Sequence, residues 1–180
     1  MREGLLWILS LLMLGACSKT NSENILPDAT SNGLHTMGFY LNGETWLPYD
    51  KGNYKDHELP HPTITNDGGL RISATRIDDQ QSARNWFCIE VPQGCFEVGR
   101  YDLASEYCTA PYQTFYYGSN SHKSAEYYEI DTLSPHFIDI TNYNKEDQII
   151  SGTFEFDAIS AQKDTLQFRS GRFDLHYKTL

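Results

Sequence analysis

The chain has 180 residues, with 24 acidic against 14 basic side chains and a net charge of −10. Such a charge repels phosphate backbones and no Lys/Arg cluster offsets it, so nucleic acid is excluded as an expected partner. The length past the N-terminal region, about 145 residues, suffices for one domain that buries roughly two-thirds of its unfolded surface, and no second core is expected.

Met1 and Arg2 precede an apolar run from Gly4 to Ala16, the charged start and short hydrophobic stretch of a secretory signal. The run is too short to span a membrane, which takes about 20 apolar residues. It ends in Leu14-Gly15-Ala16-Cys17, which resembles the lipobox of bacterial lipoproteins. The resemblance implies cleavage after Ala16 (signal peptide 1–16) and diacylation of Cys17 as the new N-terminus. An ordinary signal peptide, or a buried helix with an incidental cysteine, is the alternative. Cleavage would remove Arg2 and Glu3, one charge of each sign, leaving the net charge at −10. Buried acyl chains contribute roughly 0.8 kcal/mol per methylene, enough to hold a soluble domain at a membrane without a transmembrane helix.

Behind Cys17, the segment Ser18-Lys19-Thr20-Asn21-Ser22-Glu23-Asn24 is polar and aperiodic, and this character continues through Pro27, Asn32 and Gly33. Such a composition buries no core, so residues 17–35 are expected to form a flexible linker and residues 36–180 the domain. Ser18 stands where enteric lipoproteins retained in the inner membrane carry aspartate. That resemblance implies an outer-membrane address in the bacterial envelope; which way the domain faces is left open.

Past the signal, short alternating runs replace any 3.6-residue period. Gly38 to Leu41 and Glu44 to Leu47 flank Asn42-Gly43, a pair suited to the positive φ angles of a tight hairpin. Further strands are predicted over Leu70 to Ile77, Asn85 to Val91, Phe96 to Leu103, Gln113 to Gly118, Ala125 to Thr132, Phe137 to Thr141, Ile149 to Ile159, Thr165 to Phe168 and Arg172 to Tyr177. Polar turns are expected at 78–83, 119–124 and 144–147. Ile150, Gly152, Phe154, Phe156 and Ala158 are assigned to a dry face, and Ser151, Thr153, Glu155 and Asp157 to a wet one. Phe173, Leu175 and Tyr177 alternate in the same way with Arg172, Asp174 and His176. This pattern predicts an all-β, antiparallel β-sandwich or open barrel of about ten short strands.

Phe39-Tyr40-Leu41-Asn42-Gly43-Glu44-Thr45-Trp46, Gly99-Arg100-Tyr101-Asp102-Leu103, Ile149-Ile150-Ser151-Gly152-Thr153-Phe154-Glu155-Phe156 and Gly171-Arg172-Phe173-Asp174-Leu175 resemble uncharacterised lipoprotein domains common in Bacteroidetes. The resemblance covers nearly the whole domain, and its motifs are structural. It implies an envelope location and a β fold, and carries over no activity.

With Cys17 lipidated, Cys88, Cys95 and Cys108 remain. Export permits a disulfide, and Cys95 with Cys108, both beside turn-like sequence, is the favoured pair; three reduced thiols are the alternative. No cysteine pair has zinc-ligand spacing. His57-Glu58-Leu59-Pro60-His61 has the letters of the zinc-protease motif, but that chemistry needs a helix, and Pro60 and Pro62 oppose one. A polar loop is expected there, and neither a metal site nor a cofactor.

Tyr116, Tyr117, Tyr127 and Tyr128 lie in one predicted hairpin. Outward rings there could stack on polysaccharide, but neighbours on a strand point to opposite faces, so each pair sends one ring inward and ordinary cross-strand packing competes with the binding reading. The acidic turn residues Asp78, Asp79, Glu146 and Asp147 lack calcium-loop spacing. No nucleophile elbow or phosphate loop is present. The expectation is therefore a non-catalytic envelope lipoprotein, held to the membrane by its lipid, that binds or scaffolds an envelope protein. Glycan binding is second and a hydrolase third.

Overall fold

The computed structural model describes residues 25–48, 60–66, 68–77, 83–91, 97–103, 112–118 and 121–179. None of the described residues is helical. The strands are β1 (Thr36–Leu41), β2 (Glu44–Trp46), β3 (His61–Ile64), β4 (Leu70–Ile77), β5 (Ala83–Val91), β6 (Gly99–Asp102), β7 (Tyr112–Gly118), β8 (Ser121–Ile130), β9 (Phe137–Asn144), β10 (Ile149–Ser160), β11 (Thr165–His176) and β12 (Lys178–Thr179). The Asn42-Gly43 turn joins β1 to β2 with φ of 51° and 86°, as the hairpin pattern predicted.

The hydrogen-bonded path runs β12-β3-β4-β5-β7-β8-β10-β11-β1-β2, with β9 paired to β10 and β6 to β9. Among these pairings only β12 with β3 is parallel. Two long strands turn the path back on itself. β10 carries β9 along Ile149 to Glu155 and then β8 along Ala158 to Ser160. β11 carries β1, and its continuation past Tyr177 carries β3. One layer is thus β6-β9-β10-β11-β1-β2 and the other β3-β4-β5-β7-β8. The result is the expected all-β antiparallel architecture, with the corner strands shared between layers as in an open barrel.

Phe39, Trp46, Phe87, Phe154, Phe156 and Phe168 fill the space between the layers. Phe39 stacks on Trp46 with ring centroids 4.6 Å apart, and meets Phe87 of the opposite layer at 4.9 Å. Phe156 and Phe168 stack at 4.2 Å. All five phenylalanines are fully buried, each stabilising the fold by roughly 1.5–3 kcal/mol relative to an exposed ring. Each layer alone would leave these rings in water, so the two halves are stable only together.

β11 changes phase midway. Phe154 faces Gly171 but Phe156 faces Phe168, so β11 has one extra residue there, and Ser170 absorbs it with φ of 51°. Across this bulge the inward positions change from Leu166 and Phe168 to Phe173 and Leu175. The two strands expected over 165–168 and 172–177 are therefore one bulged strand.

The structure corrects several other expectations. β3 begins at His61, within the predicted polar loop, where His61 pairs with Ser73. Its Pro62 is tolerated because β12 joins only from Thr63, so no pairing on that side needs a proline N–H. Ser121 to Ser124, read as loop, belong to β8, which pairs Gly118 with Ser121 across a two-residue connection. Ser151, Asp157 and Asp174, assigned to wet faces, are all buried. Asp157 forms an ion pair with Arg169, whose guanidinium also donates to the carbonyls of Phe156 and Phe168. Asp174 is covered by the chain ahead of β1.

Candidate functional site

Residues 25–34, expected to be part of a flexible linker, lie as a strap across the outer face of β9, β10 and β11. Leu26 is buried, and with Pro27 and Leu47 it closes over Gly38, where a Cβ would come within 2.6 Å of Leu47 and 3.1 Å of Pro27. Arg172 Nη1 donates to the Pro27 carbonyl at 3.2 Å, and Asn142 Nδ2 to the Ser31 carbonyl at 3.2 Å.

The strap centres on Asp174 of β11, a residue 1% exposed. Thr30 Oγ1 donates to Oδ2 at 2.6 Å, and the N–H groups of Asn32 and Leu34 donate to the same oxygen at 3.0 and 3.2 Å. Oδ1 accepts from the N–H of Gly33 at 2.8 Å and from Ser151 Oγ, its cross-strand neighbour, at 2.8 Å. Three successive N–H groups thus converge on one carboxylate. Burial alone would raise the pKa of Asp174, but the Thr30 and Ser151 hydroxyls and the amides of Gly33 and Leu34 outweigh it and lower the pKa to about 2. Gly33 makes the turn possible: its φ is +72°, and a Cβ there would lie 2.6 Å from His176 Nε2.

Beside the strap lies an open cleft of about 340 Å³, bounded by Ala29, Arg100, Phe137, Glu155, Ser170 and Arg172 among others. The β11 bulge shapes its wall, since the Ser170 N–H donates to Glu155 Oε1 at 3.1 Å and its carbonyl accepts from Arg172 Nε at 3.3 Å. Arg100 lies 4.0 Å over the ring of Phe137 and pairs with Asp139 at 2.9 Å. Arg100 and Arg172 stand against Glu155 on the lining, with Asp139 beside it neutralising Arg100, and among the described residues no histidine or cysteine lines the cleft. It can donate and accept hydrogen bonds, but no nucleophile–base pair is formed among its described lining residues.

Cys17, Cys95, Cys108, His57 and Glu58 lie outside the described residues, and Cys88 is a buried thiol on β5. Of the tyrosines, Tyr127 is 51% exposed, while Tyr128 is 6% exposed and part of the core. Tyr128 is therefore not available as a binding ring. Tyr116 and Tyr117 pair through their backbones on β7; their side chains lie outside the described part. Among the described residues no three His, Cys, Asp or Glu side chains converge as metal ligands would, and no helix is long and apolar enough to cross a membrane.

Asp174 and the strap escaped sequence reasoning. The available signal was Asn32-Gly33, a turn pair within a stretch whose polarity otherwise read as linker.

No curated protein and no solved structure matches the chain. One family model does, from the start of β3 to Asp174, leaving the strap and the β1–β2 hairpin outside it. By that match over residues 61–174, the chain belongs to the family described as a domain of unknown function (DUF6252).

Proposed function

We propose that this protein is a lipid-anchored lipoprotein of the bacterial envelope, of the kind common in Bacteroidetes, whose β domain is a non-catalytic module that binds or scaffolds another envelope component, most simply a protein. The observation that carries the reading is Leu14-Gly15-Ala16-Cys17 at the end of a short apolar run opened by Met1-Arg2. Lipid on Cys17 makes the membrane the first partner, and Ser18 directs the protein to the outer membrane. The balanced charges around the Arg100–Arg172 cleft suit recognition rather than bond cleavage.

The test is fractionation and mass spectrometry of the protein from its native host. The expected result is a mature N-terminal Cys17 bearing acyl chains and membrane partitioning that Cys17→Ser abolishes. An unprocessed N-terminus, or a Cys17→Ser variant that still partitions with membranes, overturns the reading. Native pull-down from detergent-solubilised membranes should then recover a stoichiometric partner. Glycan binding through the tyrosine hairpin is the weaker reading, because the packing of Tyr128 removes one ring from any platform.

A further inference from the structure

We propose that Asp174 and the donors converging on it fasten the strap, turning the linker behind Cys17 into a short leash that keeps the domain against the membrane surface. The proposal rests on Cys17 carrying the lipid.

Were residues 17–35 a free linker, the 19 peptide units from Cys17 to Thr36 would extend to about 65 Å at roughly 3.5 Å per residue. The strap moves the point of attachment back to Ile25, leaving eight units from position 17 to position 25. Whatever course they take, eight units reach no further than about 28 Å. As random coils the two lengths have root-mean-square spans of about 15 Å and about 24 Å.

The fastening holds along its length. Leu26 is buried beside Gly38, Arg172 holds the Pro27 carbonyl, Asn142 holds the Ser31 carbonyl, and Thr30, Asn32, Gly33 and Leu34 all donate to Asp174. These bonds to a carboxylate are charge-assisted and stronger than neutral ones. Asp174 lies on the outer face of β11, which is paired with both β10 and β1, so a pull on the strap is carried by the whole sheet. A domain on so short a leash meets partners next to the lipid headgroups, which points to a component embedded in the same membrane.

The test uses the full-length lipidated protein in phosphatidylethanolamine–phosphatidylglycerol vesicles that contain a trace of headgroup-labelled acceptor lipid. A donor dye is placed at position 163, in the exposed β10–β11 turn, through an azide-bearing amino acid. Opening of the strap is read separately, as cutting at Asp28 by an Asp-specific endoproteinase. The wild type should resist cutting and transfer energy efficiently. Asp174→Asn removes the charge, and Gly33→Val unseats the strap from its own side without altering the sheet. Both should be cut at least tenfold faster and lose a substantial part of the transfer, with near-ultraviolet circular dichroism unchanged for Gly33→Val. Rapid cutting of the wild type, or undiminished transfer in variants whose strap is open, overturns the proposal. A Cys17 without acyl chains by mass spectrometry overturns the anchoring reading and the leash together, so the two failures are told apart.

Discussion

Gly33 and Asp174, 141 residues apart in the chain, meet through a 2.8 Å hydrogen bond from the glycine N–H to the aspartate Oδ1. The bond joins the segment ahead of the first strand to one of the last strands. It also explains a buried carboxylate on an outer sheet face, since the strap replaces the water that Asp174 would otherwise keep. Removing the carboxylate leaves the Thr30 and Ser151 hydroxyls and three amides without their acceptor. Asp174→Ala should therefore lower the unfolding free energy by about 3 kcal/mol. Chemical denaturation checks this, as does a fall in Tm of roughly 6–12 °C.

The same carboxylate sets an acid limit. Its pKa is about 2 in the folded protein against an ordinary 3.8. A group with a lowered folded pKa contributes its stability above the unfolded value and loses it as pH falls toward the folded one. Stability should thus drop by about 2 kcal/mol between pH 4 and pH 2 on account of Asp174 alone. In denaturation curves taken across that window, Asp174→Asn should flatten this part of the slope. An unchanged slope in the variant would show that other carboxylates govern acid unfolding.

At the alkaline end, Tyr177 is pushed up to about 12, by burial first and then by its neighbour Tyr143. Raised above its unfolded value of 10.0, it favours the folded protein fully below pH 10 and loses that contribution as pH rises toward 12. Tyr177→Phe should reduce the alkaline loss of stability, measured as Tm between pH 9 and pH 11.

Asp157 and Arg169 test an ion pair buried on the carboxylate side and partly exposed on the guanidinium side. Asp157 sits in β10 with its side chain largely out of water, and Arg169 approaches from β11 just before the bulge. Arg169→Met leaves the carboxylate uncompensated and should cost about 1–2 kcal/mol, since the guanidinium is partly solvated, whereas Asp157→Asn with Arg169→Met should recover a large part of that loss. A double-mutant cycle by urea denaturation measures the coupling.

Where the sequence was legible, one physical rule acted alone. Asn42-Gly43 between alternating runs gave the hairpin, and Phe154-Glu155-Phe156 gave the inward and outward faces of β10, because period two and the turn geometry are local. Where it misled, tertiary structure supplied the partner. Asp174 fits its alternation as a wet residue until Thr30 and Gly33 arrive from the far end of the chain. The stretch at His61-Pro62 read as a polar loop because its prolines oppose a helix, yet pairing with β4 is enough to make it a strand. The bulge at Ser170 was hidden because Ser170-Gly171 has the composition of a turn between two strands, while a single extra residue shifts the alternation within one. For the site, the exposed Tyr127 and the buried Tyr128 followed from opposite-facing neighbours, but which ring faced water depended on which side of β8 meets the core.

That last difference yields a prediction about binding as well as stability. Tyr127 projects from β8 half exposed, and Tyr128, opposite Tyr112, packs with the core. Tyr127→Ala removes no core contact, so its stability should stay within about 0.5 kcal/mol of the wild type. Tyr128→Ala empties a core position and should cost about 3 kcal/mol. If the β7–β8 hairpin holds polysaccharide by ring stacking, Tyr127→Ala loses retention on an immobilised glycan column at unchanged Tm, since each stacked aromatic acts through its exposed face. If the domain instead scaffolds a membrane-embedded protein, Tyr127→Ala leaves both the column profile and the pull-down unchanged. Affinity chromatography and thermal denaturation of the same two variants therefore separate a binding ring from a packing ring.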